Sequence, residues 1–161
     1  MKYESQGFKG IIEQQGNKFT IDTFVGGHLI VSGESGIVKI TRFSRGILTI
    51  RGKIQVIITF MNAGTIDLGS GACLSVKHFD DGRVVALENN YIGIGNFSKG
   101  EIDAGADNTL SINNKRKDAS IFLGERSTCN IHSGQNNAVR NKKLQTFFNN
   151  MIKDIIEEDA S

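Results

Sequence analysis

Two aspartates, Asp67 and Asp103, are the residues whose type and spacing come closest to a catalytic pair. Paired carboxylates hydrolyse glycosidic bonds when one acts as an acid and the other as a base or nucleophile. The two aspartates lie two periods apart in a chain that repeats every 18 residues or so, which corresponds to about 10 Å between stacked strands. This separation is at or beyond the range of an inverting hydrolase, and no arginine or tryptophan accompanies the pair. We therefore assign no catalytic residues.

The histidines and cysteines give no stronger indication of chemistry. His28, His78 and His132 occupy different positions in the repeat, whereas a metal site needs two or more ligands on one face. Cys73 and Cys129 lie three coils apart, about 14 Å, which is too far for a disulfide bond. No phosphate-binding or nucleophile motif occurs. The sequence predicts free thiols, no metal, no cofactor and no enzymatic activity.

The dominant feature of the sequence is a repeat of about eighteen residues. Apolar and polar residues alternate around each repeated position, which is the pattern of a strand with one buried face. The first aliphatic column consists of Ile21, Ile40, Ile58, Val76, Ile94, Ile112 and Ile131, and the second of Ile12, Val31, Ile50, Leu68, Ala86, Ala104 and Leu123. Such a fixed period is typical of a solenoid, in which each repeat forms one coil stacked on the previous coil.

An aromatic column and a glycine column predict the corners of the coil. The aromatic column consists of Phe24, Phe43, Met61, Phe79 and Phe97, and the glycine column of Gly27, Gly46, Gly64, Gly82 and Gly100. Stacked rings would fill one corner of the core, and glycine would form a corner that requires positive φ. The columns stop at Lys115 and at Asp118 or Ala119, where the sixth coil contains an insertion-like bulge. The predicted fold is all-β, a single-stranded parallel β-helix of about seven coils over residues 10–140. We favour a right-handed winding because the hexapeptide period of left-handed helices is absent.

The two ends of the chain differ in composition. Residues 1–9 are polar and are expected to form a tail or a cap. Over residues 141–158 the hydrophobic period changes from 2 to 3.6, which predicts an amphipathic α-helix. Its apolar stripe consists of Leu144, Phe147, Phe148, Met151, Ile152, Ile155 and Ile156. This stripe would either cap the last coil or pair with a second copy or a partner.

Outward-facing apolar and basic residues form the candidate interaction surface. It consists of Ile30, Ile57, Val85, Phe122, Arg42, Arg45, Lys115, Arg116 and Lys117. Exposed apolar residues on a flat sheet mark an interaction face, unless the C-terminal helix covers them. The basic run from Lys115 to Lys117 is either a solvated corner or, with Arg83 and Lys99 on neighbouring corners, part of a basic edge that binds an anionic partner.

Composition narrows the class of partner and the location. The chain has 161 residues and a net charge of +2, which is too small to indicate nucleic-acid binding. No apolar run is long enough to span a membrane, and the N-terminus lacks the apolar region of a signal peptide. We therefore expect no transmembrane segment, and a location in the cytoplasm or export without a cleaved signal peptide.

The repeat over residues 10 to about 140 resembles the bactofilins, small polymer-forming β-helix proteins of the bacterial cytoskeleton. The resemblance lies in architecture and period: one short β-helix without catalytic groups, with coils of this length. It implies a non-enzymatic structural protein that forms homo-oligomers or polymers. The phenylalanine ladder and the C-terminal helix depart from that family. Two alternatives stay open. One is a carbohydrate-related β-helix, such as a polysaccharide-binding adhesin, a fibre module or a degenerate acyltransferase. The other is a secreted effector or immunity-type protein that binds a protein partner.

Overall fold

The computed structural model describes residues 2–5, 11–15, 18–134 and 139–141, which form a parallel β-solenoid of about five turns with a period of about 18 residues. All ten strands belong to one sheet, and every strand pairing is parallel. The strands are β1 (Lys2–Ser5), β2 (Ile11–Gln15), β3 (Lys18–Met61), β4 (Thr65–Ser70), β5 (Cys73–Phe79), β6 (Arg83–Glu88), β7 (Tyr91–Ala106), β8 (Thr109–Leu123), β9 (Thr128–Gly134) and β10 (Val139–Asn141). The described residues contain no helix. The predicted seven coils, right-handed winding, domain limits and C-terminal helix stay predictions.

The strand register follows the repeat through the middle of the chain. Val76 pairs with Ile94, and Ile94 pairs with Ile112, so the first aliphatic column is a column of stacked neighbours. At the N-terminal end the register differs, because Ile12 pairs with Leu29 and not with Val31. A shift of two residues keeps the same side of the strand facing inward, so the alternation in the sequence does not reveal it.

The aromatic column lies inside the solenoid and fills one corner of the core. Phe24 and Phe43 stack with ring centroids 5.1 Å apart and planes within 3° of parallel. Phe79 and Phe97 are 4.6 Å apart and tilted by 52°, and Met61 occupies the coil between the two pairs. All five side chains are fully buried. Each ring therefore excludes water from the ring of the next coil, which makes this corner a continuous apolar stack.

The glycine column has the positive φ that the sequence predicts. The values are +85° at Gly27, +107° at Gly46, +98° at Gly64, +121° at Gly82 and +111° at Gly100. A Cβ atom at Gly82 would lie 2.8 Å from the carbonyl oxygen of Gly64 and 2.8 Å from Cε of Met61. The column is therefore required both by backbone conformation and by the close approach of successive coils.

A buried polar column, which the sequence pattern did not reveal, forms another corner. The backbone N–H of Ala72 donates to Oδ1 of Asn90 at 2.9 Å, and the N–H of Asn90 donates to Oδ1 of Asn108 at 3.0 Å. The N–H of Asn108 in turn donates to Oγ of Ser127 at 3.0 Å. Side chains thus accept the backbone hydrogen bonds where the strands are interrupted, which satisfies buried donors at the corner.

The glycine column gives a test of the fold. We expect Gly82→Ala to lower the free energy of unfolding by about 1–3 kcal/mol, because alanine adopts the required φ only with strain. Gly93→Ala is the matched control, since its Cβ would be 3.5 Å from the nearest atom, Cε1 of Tyr91. Urea denaturation of both variants measures the difference. A Gly82→Ala protein as stable as the Gly93→Ala protein would contradict the assigned corner.

Candidate functional site

The structure separates the two aspartates by one strand. Asp67 of β4 pairs with Val85 of β6, and Val85 pairs with Asp103 of β7, so all three share one outward column. The guanidinium of Arg83 lies 3.5 Å from a carboxylate oxygen of Asp103 and 3.5 Å from one of Glu101. Asp103 therefore takes part in a surface ion-pair network with a neighbouring coil.

The predicted apolar surface residues are half-buried. Ile30, Ile57, Val85 and Phe122 all have intermediate exposure. The large hydrophobic side chains exposed most, within the described residues, are Ile47 at 42%, Leu87 at 61% and Tyr91 at 47%. Strict alternation along β6 already placed Leu87 on the outer side, so the sequence contained a signal for it.

A second outward column forms a mixed aromatic and polar stack. The guanidinium carbon of Arg42 lies 5.2 Å from the centroid of the Phe60 ring, which is cation–π geometry. The Phe60 and His78 rings stack 5.1 Å apart, and the His78 ring shares a 3.1 Å hydrogen bond with the amide nitrogen of Asn96. The position of Arg42 is therefore set by an aromatic neighbour one coil away.

The basic residues of the predicted edge have different surroundings. Arg45 donates from Nε to the carbonyl of Val25 at 2.7 Å, and Lys99 lies 3.8 Å from a carboxylate oxygen of Asp81. In the part of the chain that the structure describes, no carboxylate lies within ion-pair distance of Arg116 or Lys117, and both are exposed. The end of the basic run thus has two adjacent exposed cations without an ion-pair partner among the described residues.

Lys115 is buried, which corrects its placement on the candidate surface. Its side chain is 0% exposed and stands in the aromatic column, where Lys115 pairs with Phe97. Its Nζ donates to the carbonyl of Arg116 at 3.2 Å, and burial lowers the pKa of the ammonium group. A lysine therefore takes the place of a phenylalanine in this column, and its side chain still points inward.

The predicted insertion in this coil is confirmed as a bulge in β8. Phe97 pairs with Lys115 and Lys99 pairs with Asp118, so Arg116 and Lys117 together stand opposite Ser98. A pocket of about 520 Å³ lies at the bulge. Its lining consists of Ser98, Asn114, Lys115, Arg116, Lys117, Asp118 and Gly134. The bulge thus brings consecutive cationic residues around one concave surface.

A second concave surface runs across β3, β5, β7 and β8. This groove has a volume of about 540 Å³, and its polar lining includes the side chains of Ser75, Lys77, Ser111 and Asn113. Tyr91, nearly half exposed, lies beside Gly93 at one side of the groove. The groove exists because Ile92 and Ile94 point inward while Gly93 and Gly95 leave the outer side open.

The two cysteines are free and half-buried. Burial raises the pKa of the Cys129 thiol to about 11, against a smaller opposing effect of the Lys115 charge. Burial also raises the pKa of Cys73. Both thiols are therefore protonated at neutral pH and are poor nucleophiles there.

The remaining site predictions concern the C-terminal stripe, metal binding and membrane spans. The C-terminal stripe, from Leu144 to Ile156, lies outside the described residues, so its role stays a prediction. The described part of the chain has no group of three histidine, cysteine, aspartate or glutamate side chains placed to hold a metal ion. It also has no helix with the length and apolar character needed to cross a bilayer.

Comparison of the chain with models of protein families, with curated proteins and with solved structures gives no match.

The burial of Cys129 gives a pH-dependent prediction. In a Cys73→Ser protein, we expect the alkylation rate of Cys129 by iodoacetamide to reach half its maximum near the raised pKa, about 11. The sign follows from desolvation, which favours the neutral thiol, so the thiolate forms only at higher pH than in the unfolded chain. Alkylation of the urea-unfolded protein is the control. A midpoint in the folded protein equal to that control would show that Cys129 is solvated.

Proposed function

We propose that this chain is a non-enzymatic structural or interaction β-solenoid that self-associates, as the bactofilins it resembles do. The observation that carries the proposal is the parallel ladder, whose last described strands are paired, within the described residues, on one side only. Among the described residues, β9 and β10 each pair with β8 and with no later strand. A row of strand N–H and C=O groups at such an end is a template for another strand or a cap.

The apolar core supports the same proposal because it continues to the last described coil. Cys129, Ile131 and Val139 are only partly buried and pack against the core cluster. Leu123 lies at the end of β8, one coil before Val139. It retains 9% exposure, more than the other buried aliphatic residues. Covering these side chains by a second copy would remove apolar surface from water, which favours association.

The C-terminal stripe is the second element of the proposal. Lys142 and Lys143 stand at the start of the predicted helix, and acidic residues from Glu157 stand at its end. This order is unfavourable for the helix dipole, and an antiparallel copy of the same helix would place opposite charges side by side. We therefore propose that the stripe contributes to self-association. The alternative is that it caps the last coil, and the experiment below distinguishes the two roles.

Sedimentation velocity over a hundredfold concentration range tests this proposal. We expect the wild-type chain to form species that grow with concentration, and Phe147→Asp to weaken association at least tenfold by placing a charge in an apolar contact. Ile152→Asp should act in the same way. Asn150→Asp is the matched control, since it adds the same charge off the stripe. A wild-type chain that stays monomeric throughout would refute self-association, and equal association of all variants would exclude the stripe.

The groove beside Tyr91 supports a second candidate function, polysaccharide binding. Sugar rings pack against exposed aromatic faces, and their hydroxyl groups exchange hydrogen bonds with small polar side chains. Tyr91 supplies such a face, while Ser75, Ser111 and Asn113 supply the polar groups on neighbouring strands. The groove is long enough to cross several coils, which suits an extended polymer.

Affinity electrophoresis through gels containing dextran or pectin tests polysaccharide binding. Retardation should be lost in Tyr91→Ala and kept in Tyr91→Phe, because the aromatic face is the feature that matters. Leu87→Ala removes an exposed hydrophobic side chain that does not line the groove, and it serves as the control. Equal mobility of wild type and Tyr91→Ala in all gels would remove this candidate for these polymers.

A further inference from the structure

We propose that the pocket at the β8 bulge binds a tetrahedral oxyanion, a phosphate or sulfate group carried by a small molecule. The pocket is lined by three consecutive cationic residues, Lys115, Arg116 and Lys117. This inference goes beyond self-association and does not depend on it, because the cations that carry it belong to β8 and not to the last described strands, β9 and β10.

The bulge explains why three neighbouring cations serve one pocket. In a regular strand, successive side chains point to opposite faces, so consecutive residues do not converge. Here the extra residue places Arg116 and Lys117 opposite Ser98 alone, and both side chains are exposed. Lys115 enters from the core side of the same corner. A bulge that redirects side chains in this way is a common device at binding sites.

Charge balance distinguishes this corner from the basic residues of the solenoid that form ion pairs. Arg126 forms a bidentate ion pair with Asp107, in which Nε donates to Oδ1 at 2.6 Å and Nη2 donates to Oδ2 at 2.9 Å. Arg83 and Lys99 also have carboxylate neighbours. Among the described residues, Arg116 and Lys117 have none within ion-pair distance, although Asp118 also lines the pocket. An anion is therefore the ligand whose charge this corner favours.

The lining groups match the shape and hydrogen bonding of an oxyanion. The Arg116 guanidinium carries donors in a planar fork that matches two oxygens of a phosphate or sulfate. Lys115 is fully buried, and its Nζ donates to the carbonyl of Arg116, so its ammonium group lies beneath the exposed Arg116 and Lys117. Ser98 and Asn114 add neutral donors. Burial disfavours the charged form of Lys115, and a bound anion would favour it.

The pocket is a shallow concavity with room for more than the oxyanion itself. At about 520 Å³ the pocket falls within the usual range for small-molecule sites, roughly 300–1,000 Å³. A bare phosphate would fill only a fraction of this space. The proposed ligand class is therefore a small organic phosphate or sulfate, with its anionic group at Arg116 and Lys117 and its remaining part along Ser98 and Asn114.

Isothermal titration calorimetry of the full chain tests the site with inorganic phosphate, inorganic sulfate, glucose 6-phosphate and glucose. We expect binding of the three anions and none of glucose. Tighter binding of glucose 6-phosphate than of inorganic phosphate would support an organic ligand, and equal binding would support the oxyanion alone. The Arg116→Gln/Lys117→Gln protein should bind at least tenfold more weakly, and wild-type binding should weaken as salt increases.

Two further variants keep the test decisive. Lys115→Met should also weaken binding, and it should fold because Met61 occupies the same inward column three coils earlier. Lys39→Gln/Lys53→Gln removes two exposed cations elsewhere and should bind like wild type. Amide chemical shifts of Ser98, Asn114 and Gly134 should move on adding glucose 6-phosphate. Absence of anion binding, or equal binding by the Arg116→Gln/Lys117→Gln protein, would overturn the proposal.

Discussion

Hydrogen bonding between successive coils is the constraint on which this structure depends. Each coil must place its backbone N–H and C=O groups opposite those of its neighbours, because a buried group without a partner is costly. Matching positions of successive coils therefore stack in columns, and each column has one environment. The glycine corner, the phenylalanine stack and the asparagine ladder are three such columns, at three positions of the coil.

The same constraint explains why the extra residue at Arg116 and Lys117 remains local. If the strand slipped by one residue to absorb it, every later side chain would change faces, and the aliphatic columns would turn outward. A bulge confines the change to one corner, so Ile112 still pairs with Ile131 in the following coil. The exception to the period is thus also the place where the outer surface departs from a flat sheet.

The outer columns are free of this constraint and vary in chemistry from coil to coil. Some charged side chains there form ion pairs between neighbouring coils, as Arg126 does with Asp107. Such pairs add little stability when they are exposed. The bulge pocket and the Tyr91 groove stand out against this background. Gly134, at the end of β9, also lines the bulge pocket, so the proposed ligand site lies next to the coil end proposed for self-association.

The sequence by itself determined the period, the inward columns and the positive φ of the glycine corner. These features are local and repeated: alternation sets which side chains face inward, and only glycine takes positive φ without strain. It also located the insertion, because two columns stop at the same coil. It did not locate the asparagine ladder, although Asn90 and Asn108 recur at the same interval, since their partners are backbone groups of neighbouring coils.

Only the tertiary structure decided which side chains meet across coils. Lys115 lies inside, and Ile12 pairs with Leu29 where the repeat predicts Val31. Carboxylates lie beside Arg83, and a groove lies beside Tyr91. The physical reason is that these features depend on the register between strands about 18 residues apart and on the size of the side chains stacked there. A shift of two residues preserves the alternation, so the pattern in the chain is the same for either register.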